Sequence, residues 1–180
     1  MLSKQFLSWL AGFIDGDGSI YIGVRLQNAN GNDYIAICPV LNLTQHIQYK
    51  WVCEYIQETL GKGKVYVANR SNASAKATWQ TTKTQEMVDI LKQLLPYLIV
   101  KKSQAERVIP VLEAWIKDTT SIRKQGDLRT SGATVRKRKT VLDIVKVATT
   151  INSGMNNTAI AKGYKTYKDW RPIITKLYHR

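Results

Sequence analysis

The eleven residues Leu10 to Ile20, LAGFIDGDGSI, constrain this chain more than any other stretch. Within a few positions they turn helical spacing into strand alternation, through two carboxylates and three glycines. Upstream, Ser3 is a suitable N-cap, and the spacing predicts a helix to about Asp15. Phe6, Leu7, Leu10, Phe13 and Ile14 form its apolar face. Ser8, Ala11, Gly12 and Asp15 form a second stripe of small or short side chains. Downstream, Ile20, Ile22, Val24 and Leu26 alternate with Tyr21, Gly23, Arg25 and Gln27, the pattern of a half-buried strand. The apolar face needs a core. The small face suits a second helix at close approach, here a second copy of the same helix.

Periodicity carries this reading along the chain. After the polar turn NANGND, a second strand sets Ile35, Ile37, Leu41 and Leu43 on one face and Ala36, Cys38, Val40 and Asn42 on the other. Pro39 marks an edge position or a bulge there. IQYKWVCEYIQETLG reads as a helix stopped by Gly61. Two strands follow, Lys64 to Arg70 with Val65 and Val67 inward, and Lys76 to Thr82 with Trp79 inward. Helices from about Gln85 to Leu95 and from about Ser103 to Trp115 are separated by Pro96. TVLDIVKVATTI returns to helix, and Tyr167 to Tyr178 makes a last one, interrupted near Pro172. The expected class is α+β, in the order αββαββα with extra C-terminal helices. It divides into a core at 1–116, a basic connector at 117–139 and a C-terminal helical extension at 140–180, all in one compact domain.

Charge narrows the partner. The chain has 27 Lys and Arg against 13 Asp and Glu, a net charge of +14. Residues 117–180 hold 15 basic and 4 acidic side chains, a net +11, leaving only +3 for residues 1–116. The outward faces of all four strands carry Tyr, Arg, Gln, Asn, Thr and Lys, with no acid among them. Such a chain meets a polyanion, with nucleic acid first. No apolar run reaches the roughly 20 residues of a membrane span, so no membrane partner is expected. The start, MLSKQFLSWLAG, lacks a basic region followed by an apolar core, so an intracellular rather than secreted protein is expected. Two cysteines and two histidines supply neither a disulfide framework nor a zinc cluster.

Asp15 and Asp17 admit three readings. A plain turn explains Gly and Asp but not the small stripe. An EF-hand fragment puts Asp15, Asp17, Gly18 and Ile20 at loop positions 3, 5, 6 and 8, but Phe13 and Val24 then occupy the ligand positions 1 and 12. The third reading pairs two copies of the helix. Their ends converge, and a carboxylate and backbone carbonyl from each make a hard-oxygen site for Mg²⁺. Metal ions in such a site serve phosphodiester cleavage.

LAGFIDGDG resembles the signature of the LAGLIDADG homing endonucleases. It matches at Leu10, Ala11, Gly12, Ile14, Asp15, Asp17 and Gly18, with Phe13 and Gly16 as variants. The resemblance covers about residues 4–116, and one motif in a chain of this size resembles the homodimeric subgroup. It implies an intron-encoded, Mg²⁺-dependent nuclease, with Mn²⁺ or Ca²⁺ able to occupy the site. The enzyme would cut a long, nearly palindromic double-stranded DNA across the minor groove, leaving 3′-hydroxyl and 5′-phosphate ends. An archaeal cytoplasm or an organelle is the implied compartment. An intron RNA maturase, with RNA as a secondary partner, and a cleavage-dead DNA-binding regulator are the alternatives on the same fold.

The resemblance also implies roles. Asp17 is the catalytic metal-binding carboxylate, Gly16 offers its carbonyl to the metal, and Asp15 ends the interface helix with Ser8, Ala11 and Gly12. Gln45 orients solvent near the scissile phosphate. Tyr49 stands where a basic residue is usual, with Lys50 as a substitute. Lys101 aligns with the active-site lysine, Lys102 is its neighbouring alternative, and Gln104 anchors the segment. Tyr21, Arg25, Gln27, Asn42, Lys64, Tyr66, Thr78 and Gln80 are the candidate base readers, while Arg136, Lys137, Arg138 and Lys139 contact phosphates.

Overall fold

The computed structural model describes residues 2–29, 31–70, 73–120, 137–152 and 165–178. Helix α1 (Lys4–Asp17) runs straight into strand β1 (Gly18–Ala29), followed by β2 (Asn32–His46), a short 3-10 turn (Ile47–Tyr49) and α2 (Lys50–Leu60). Then come β3 (Lys64–Arg70), β4 (Ala73–Thr81), α3 (Thr84–Leu94), α4 (Lys102–Thr120), α5 (Arg138–Asn152) and α6 (Tyr167–Leu177). The strands form one sheet in the order β1-β2-β4-β3, antiparallel at the β2–β4 and β3–β4 pairs. This is the expected α+β architecture. Among the described residues no helix is long and apolar enough to cross a membrane.

Two compact units divide the chain: Met1–Tyr21 with Pro39–Ile109, and Ile22–Cys38 with Pro110–Arg180. The first holds the motif. Ser3 caps α1 as expected, its side chain accepting from the Phe6 amide at 3.2 Å. Leu10, Ile14, Leu41, Leu43, Ile56, Trp79, Met87, Leu91 and Leu94 are fully buried and make its core. Burying each such side chain contributes about 1.5–3 kcal/mol, which is why the apolar periodicity governs the fold. Trp79 donates from Nε1 to the Lys62 carbonyl at 3.0 Å. Gly63 has φ +79°, and a Cβ there would lie 2.5 Å from that same Nε1, so backbone and packing both require glycine.

In the second unit Gly31, at φ +80°, turns the β1–β2 hairpin. Asn28 pins that turn, accepting from the Gly31 amide at 3.1 Å and donating to Asp33 at 2.8 Å. Leu112, Val141, Ile144, Val145, Ala148 and Ile174 are buried in this unit. Asp118 receives the Lys137 amide at 2.8 Å, tying the end of α4 to the approach of α5.

Several sequence expectations change. α4 continues past Trp115 to Thr120, and α5 already includes Arg138 and Lys139. The expected connector at 117–139 therefore begins and ends inside helices, and the boundary between the units falls at Pro110. α6 is not interrupted at Pro172. Proline costs a helix interior about 3 kcal/mol, and burial of Trp170 and Ile174 on the opposite face offsets it. Val67 is 46% exposed because β3 is the sheet's edge strand. β2 is an inner strand, yet its ladder with β4 starts at Leu41, so Pro39 withholds no hydrogen bond from it. Val40, placed on the polar face by alternation, is 3% exposed.

Candidate active site

The helix-to-strand junction is made without a linker. The Gly18 amide donates to the Ile14 carbonyl, and a Cβ at Gly18 would lie 2.8 Å from the Ile14 backbone. No other residue fits so close an approach. Asp17 thus becomes the last helical residue, exposed, with β1 beginning at the next position. Gln45, near the end of β2, donates from Nε2 to Asp17 Oδ2 at 2.8 Å. That bond orients an exposed carboxylate. The last carbonyls of a helix have no partner within it, and Gly16 and Asp17 are the last two residues of α1.

Asp15 has a different task. Its Oδ2 accepts the amides of Ile99 at 2.7 Å and Val100 at 3.1 Å, and its Oδ1 accepts that of Lys101 at 2.8 Å. The Lys101 ammonium returns to the Asp15 carbonyl at 2.5 Å. One residue therefore clasps the segment before α4 through its side chain and its backbone together. Burial raises the Asp15 carboxyl, but the amides of Ile99, Lys101 and Val100, with the Lys101 charge, outweigh it and hold the group below its ordinary value. Asp15→Asn keeps the shape and loses one acceptor of the pair, so we expect about 1–3 kcal/mol of destabilisation at neutral pH. The folded carboxyl is depressed, so its stabilisation is complete above the unfolded value of about 3.9 and is lost as pH falls through the lower folded value. Urea unfolding of both proteins at pH 7 and toward pH 2 checks this: the gap should close in acid.

The remaining expected residues divide clearly. Gln104 donates to the Ile20 carbonyl at 2.7 Å, the anchor anticipated for it. Lys102 is exposed and Lys101 half-buried, so the structure joins Lys101 rather than Lys102 to the motif. Lys50 is paired with Glu54 on its own helix, and Tyr49 is 46% exposed. Ser8 and Gly12 are exposed, but Ala11 is fully buried. Its small side chain serves the chain's own core, and it leaves the open stripe. Nothing lies within 4 Å of a Cβ built at Gly12 or Gly16, so no contact within the chain demands glycine at either.

On the sheet, pairing aligns the candidate readers in rows. Asn42 lies opposite Gln80, and Gln80 opposite Lys64. The next row is Thr44, Thr78 and Tyr66. The alternation that selects Asn42 also places Thr44 on this face, and its hydroxyl shares a 2.9 Å hydrogen bond with that of Thr78. Tyr21 is half-buried in the first unit; Arg25 and Gln27 are exposed on the hairpin of the second. Lys137, Arg138 and Lys139 are exposed, and Arg138 donates to Thr175 at 3.0 Å. Arg136 lies outside the described residues.

One four-stranded sheet with helices, and a carboxylate displayed at the end of the first of them, define an α+β protein. Comparison with known proteins gives the particular family. Residues 10–109 match the family model described as LAGLIDADG endonuclease, and the chain belongs to that family of site-specific DNA endonucleases. It is 26% identical over 150 residues to DNA endonuclease I-CreI of Chlamydomonas reinhardtii, covering 74% of this chain and 88% of the relative. It is 30% identical over 109 residues to DNA endonuclease I-CvuI of Chlorella vulgaris, covering 59% and 63%. The crystal structure of I-CvuI with the I-CreI target in 2 mM Mg superposes with a TM-score of 0.69 at 20% identity, covering 98% of this chain and 97% of that one. The archaeal intron-encoded homing endonuclease I-Vdi141I, complexed with DNA, superposes at 0.68 and 18% identity, covering 97% and 98%.

Proposed function

We propose that this chain acts as a homodimer that makes a double-strand break in a long, nearly palindromic DNA site, that it is intron-encoded, and that it works inside an organelle or an archaeal cell. The observation that carries this is Asp17, exposed at the end of α1 and fixed by Gln45, beside an α1 surface where Gly12 and Gly16 meet nothing of their own chain. Trp9, one turn from Gly12, is 41% exposed, and Ile99 and Val100, held by Asp15, are 85% and 73% exposed. Large apolar groups beside open glycines suit burial against a second copy.

Among the described residues no three His, Cys, Asp or Glu side chains gather as a metal cluster. A cation at Asp17 therefore completes its shell from backbone oxygen, water, phosphate or a second chain. Asp17 and the Gly16 carbonyl are hard oxygens that fit Mg²⁺ or Ca²⁺, and structures of the relative I-CvuI were obtained with both ions. When bound, Mg²⁺ supplies positive charge to the phosphodiester and makes water a better nucleophile. Gln45 keeps the Asp17 carboxylate in one orientation. Lys101 brings an ammonium to the same helix end, where it faces the charge that develops on phosphate.

Asn42, Lys64, Tyr66, Thr78 and Gln80 present the donor and acceptor groups that read base edges in the major groove, and Tyr21, Arg25 and Gln27 add those of β1. The reading is tested by incubating the protein with an intronless duplex target from its host and Mg²⁺, then mapping ends. Cuts at one site on both strands support it, and no cleavage of any duplex overturns it. Lys137, Arg138 and Lys139 contact phosphate, which positions without specifying. Replacing all three with Gln should weaken binding to every sequence alike. It should also flatten the slope of log K against log salt by roughly 0.9 for each phosphate no longer neutralised. Fluorescence anisotropy between low and physiological salt measures this, and an unchanged slope would show that the run is only a solvated surface.

A further inference from the structure

The reading face holds one hydrogen bond that constrains recognition before any DNA arrives. Gln27 on β1 and Tyr34 on β2 are both exposed, and the Tyr34 hydroxyl donates to Gln27 Oε1 at 2.7 Å. Both lie on the polar face of the hairpin, opposite the buried Ile22 and Ile35. The Asn28–Gly31 and Asn28–Asp33 bonds fix the turn beyond them, so the two strands hold this pair in register.

A glutamine amide is chemically two-ended, with an acceptor oxygen at one end and two N–H donors at the other. Free in solvent it rotates about its terminal torsion and presents either end. Base readout needs the amide held within reach of one base edge, because its oxygen and N–H must meet that edge together. We propose that Tyr34 is a specificity-determining positioning residue. Its hydroxyl holds the Gln27 carboxamide against β2, so that Gln27 arrives at its base with its side chain already placed. The inference rests on the endonuclease reading and adds to it a residue on the same face of β2 as Asn42.

The test compares cleavage profiles on a library in which every position of the target is varied singly. Gln27→Ala identifies the symmetric pair of positions that Gln27 reads. Tyr34→Phe keeps the ring and removes only the hydroxyl. It should reduce discrimination at those same positions by roughly tenfold, within the range expected of a single bidentate base pairing. In the Gln27→Ala background it should change nothing further. Nitrogen-15 relaxation of the Gln27 side-chain amide, measured without DNA, should show increased motion in Tyr34→Phe. An unchanged profile and unchanged amide motion overturn the proposal while leaving wild-type specificity intact. Broadening elsewhere, or an added effect on Gln27→Ala, overturns it too, because Tyr34 would then be reading DNA itself. A wild type without sequence preference overturns the endonuclease reading and this inference together.

Discussion

Asp17→Asn should bind its DNA target as wild type does and cut it slower by on the order of a thousandfold or more, the scale of losing a principal electrostatic element of a transition state. The substitution is nearly isosteric. Asparagine retains an oxygen that accepts from Gln45 Nε2, so the 2.8 Å contact that orients the wild-type carboxylate survives. Gly18 still closes α1 onto Ile14, so the helix end keeps its shape. What disappears is the negative charge that would hold a hard cation at this end in the proposed site. In the proposed reading base contacts come from the sheet and phosphate contacts from the basic C-terminal third, so equilibrium affinity should stay within a few fold. Gel-shift titration in Ca²⁺ beside single-turnover cleavage in Mg²⁺ separates the two quantities. A variant that cuts at the wild-type rate would remove Asp17 from its role, whereas one that neither binds nor cuts would point to a damaged fold.

The elements legible in the sequence are those whose burial matches a simple period. α1 with Phe6, Leu10 and Ile14 inward, and β4 with Trp79 inward and Thr78 and Gln80 outward, follow from spacing alone. Proline misleads at Pro172, not at Pro110, which the spacing already places inside a helix. Pro110 and Pro172 lie within continuous helices because packing of Leu112, Trp170 and Ile174 outweighs the missing hydrogen bonds. Val67 misleads because alternation says which way a side chain points, and only the strand order says whether anything covers it. At the site, resemblance brings Asp17, Gln45 and Lys101 together. The clasp of Asp15 on Ile99, Val100 and Lys101 is invisible in the sequence, since no local pattern links residues 84 to 86 positions apart. The small stripe is half right for the same reason. Spacing puts Ala11 and Gly12 side by side, but only packing separates the buried one from the open one.

Gly12→Leu should dissociate the dimer while making the lone subunit no less stable. These opposite signs come from two separate environments. Within the chain a Cβ at Gly12 meets nothing inside 4 Å, so a leucine side chain enters open space. Leucine also favours helix over glycine by roughly 0.8 kcal/mol at an interior position, so α1 itself gains. In the proposed dimer the same atoms would enter the place where two backbones meet. Overpacking a tight contact costs about 1–3 kcal/mol, and two-fold symmetry repeats it, giving about 2–6 kcal/mol per dimer. Dimer dissociation constants should rise by roughly 30-fold to 10⁴-fold. Two Asp17 carboxylates would then no longer converge, and double-strand cleavage should fail at protein concentrations where wild type cuts. Sedimentation velocity gives the assembly state, thermal unfolding at high dilution gives the subunit's stability, and plasmid cleavage gives the function. If Gly12→Leu is a fully active dimer, or if wild type is monomeric even on DNA, the open glycine does not mark the subunit interface. A variant whose monomer is itself strongly destabilised would show that Gly12 is needed inside the chain, against the space observed around it.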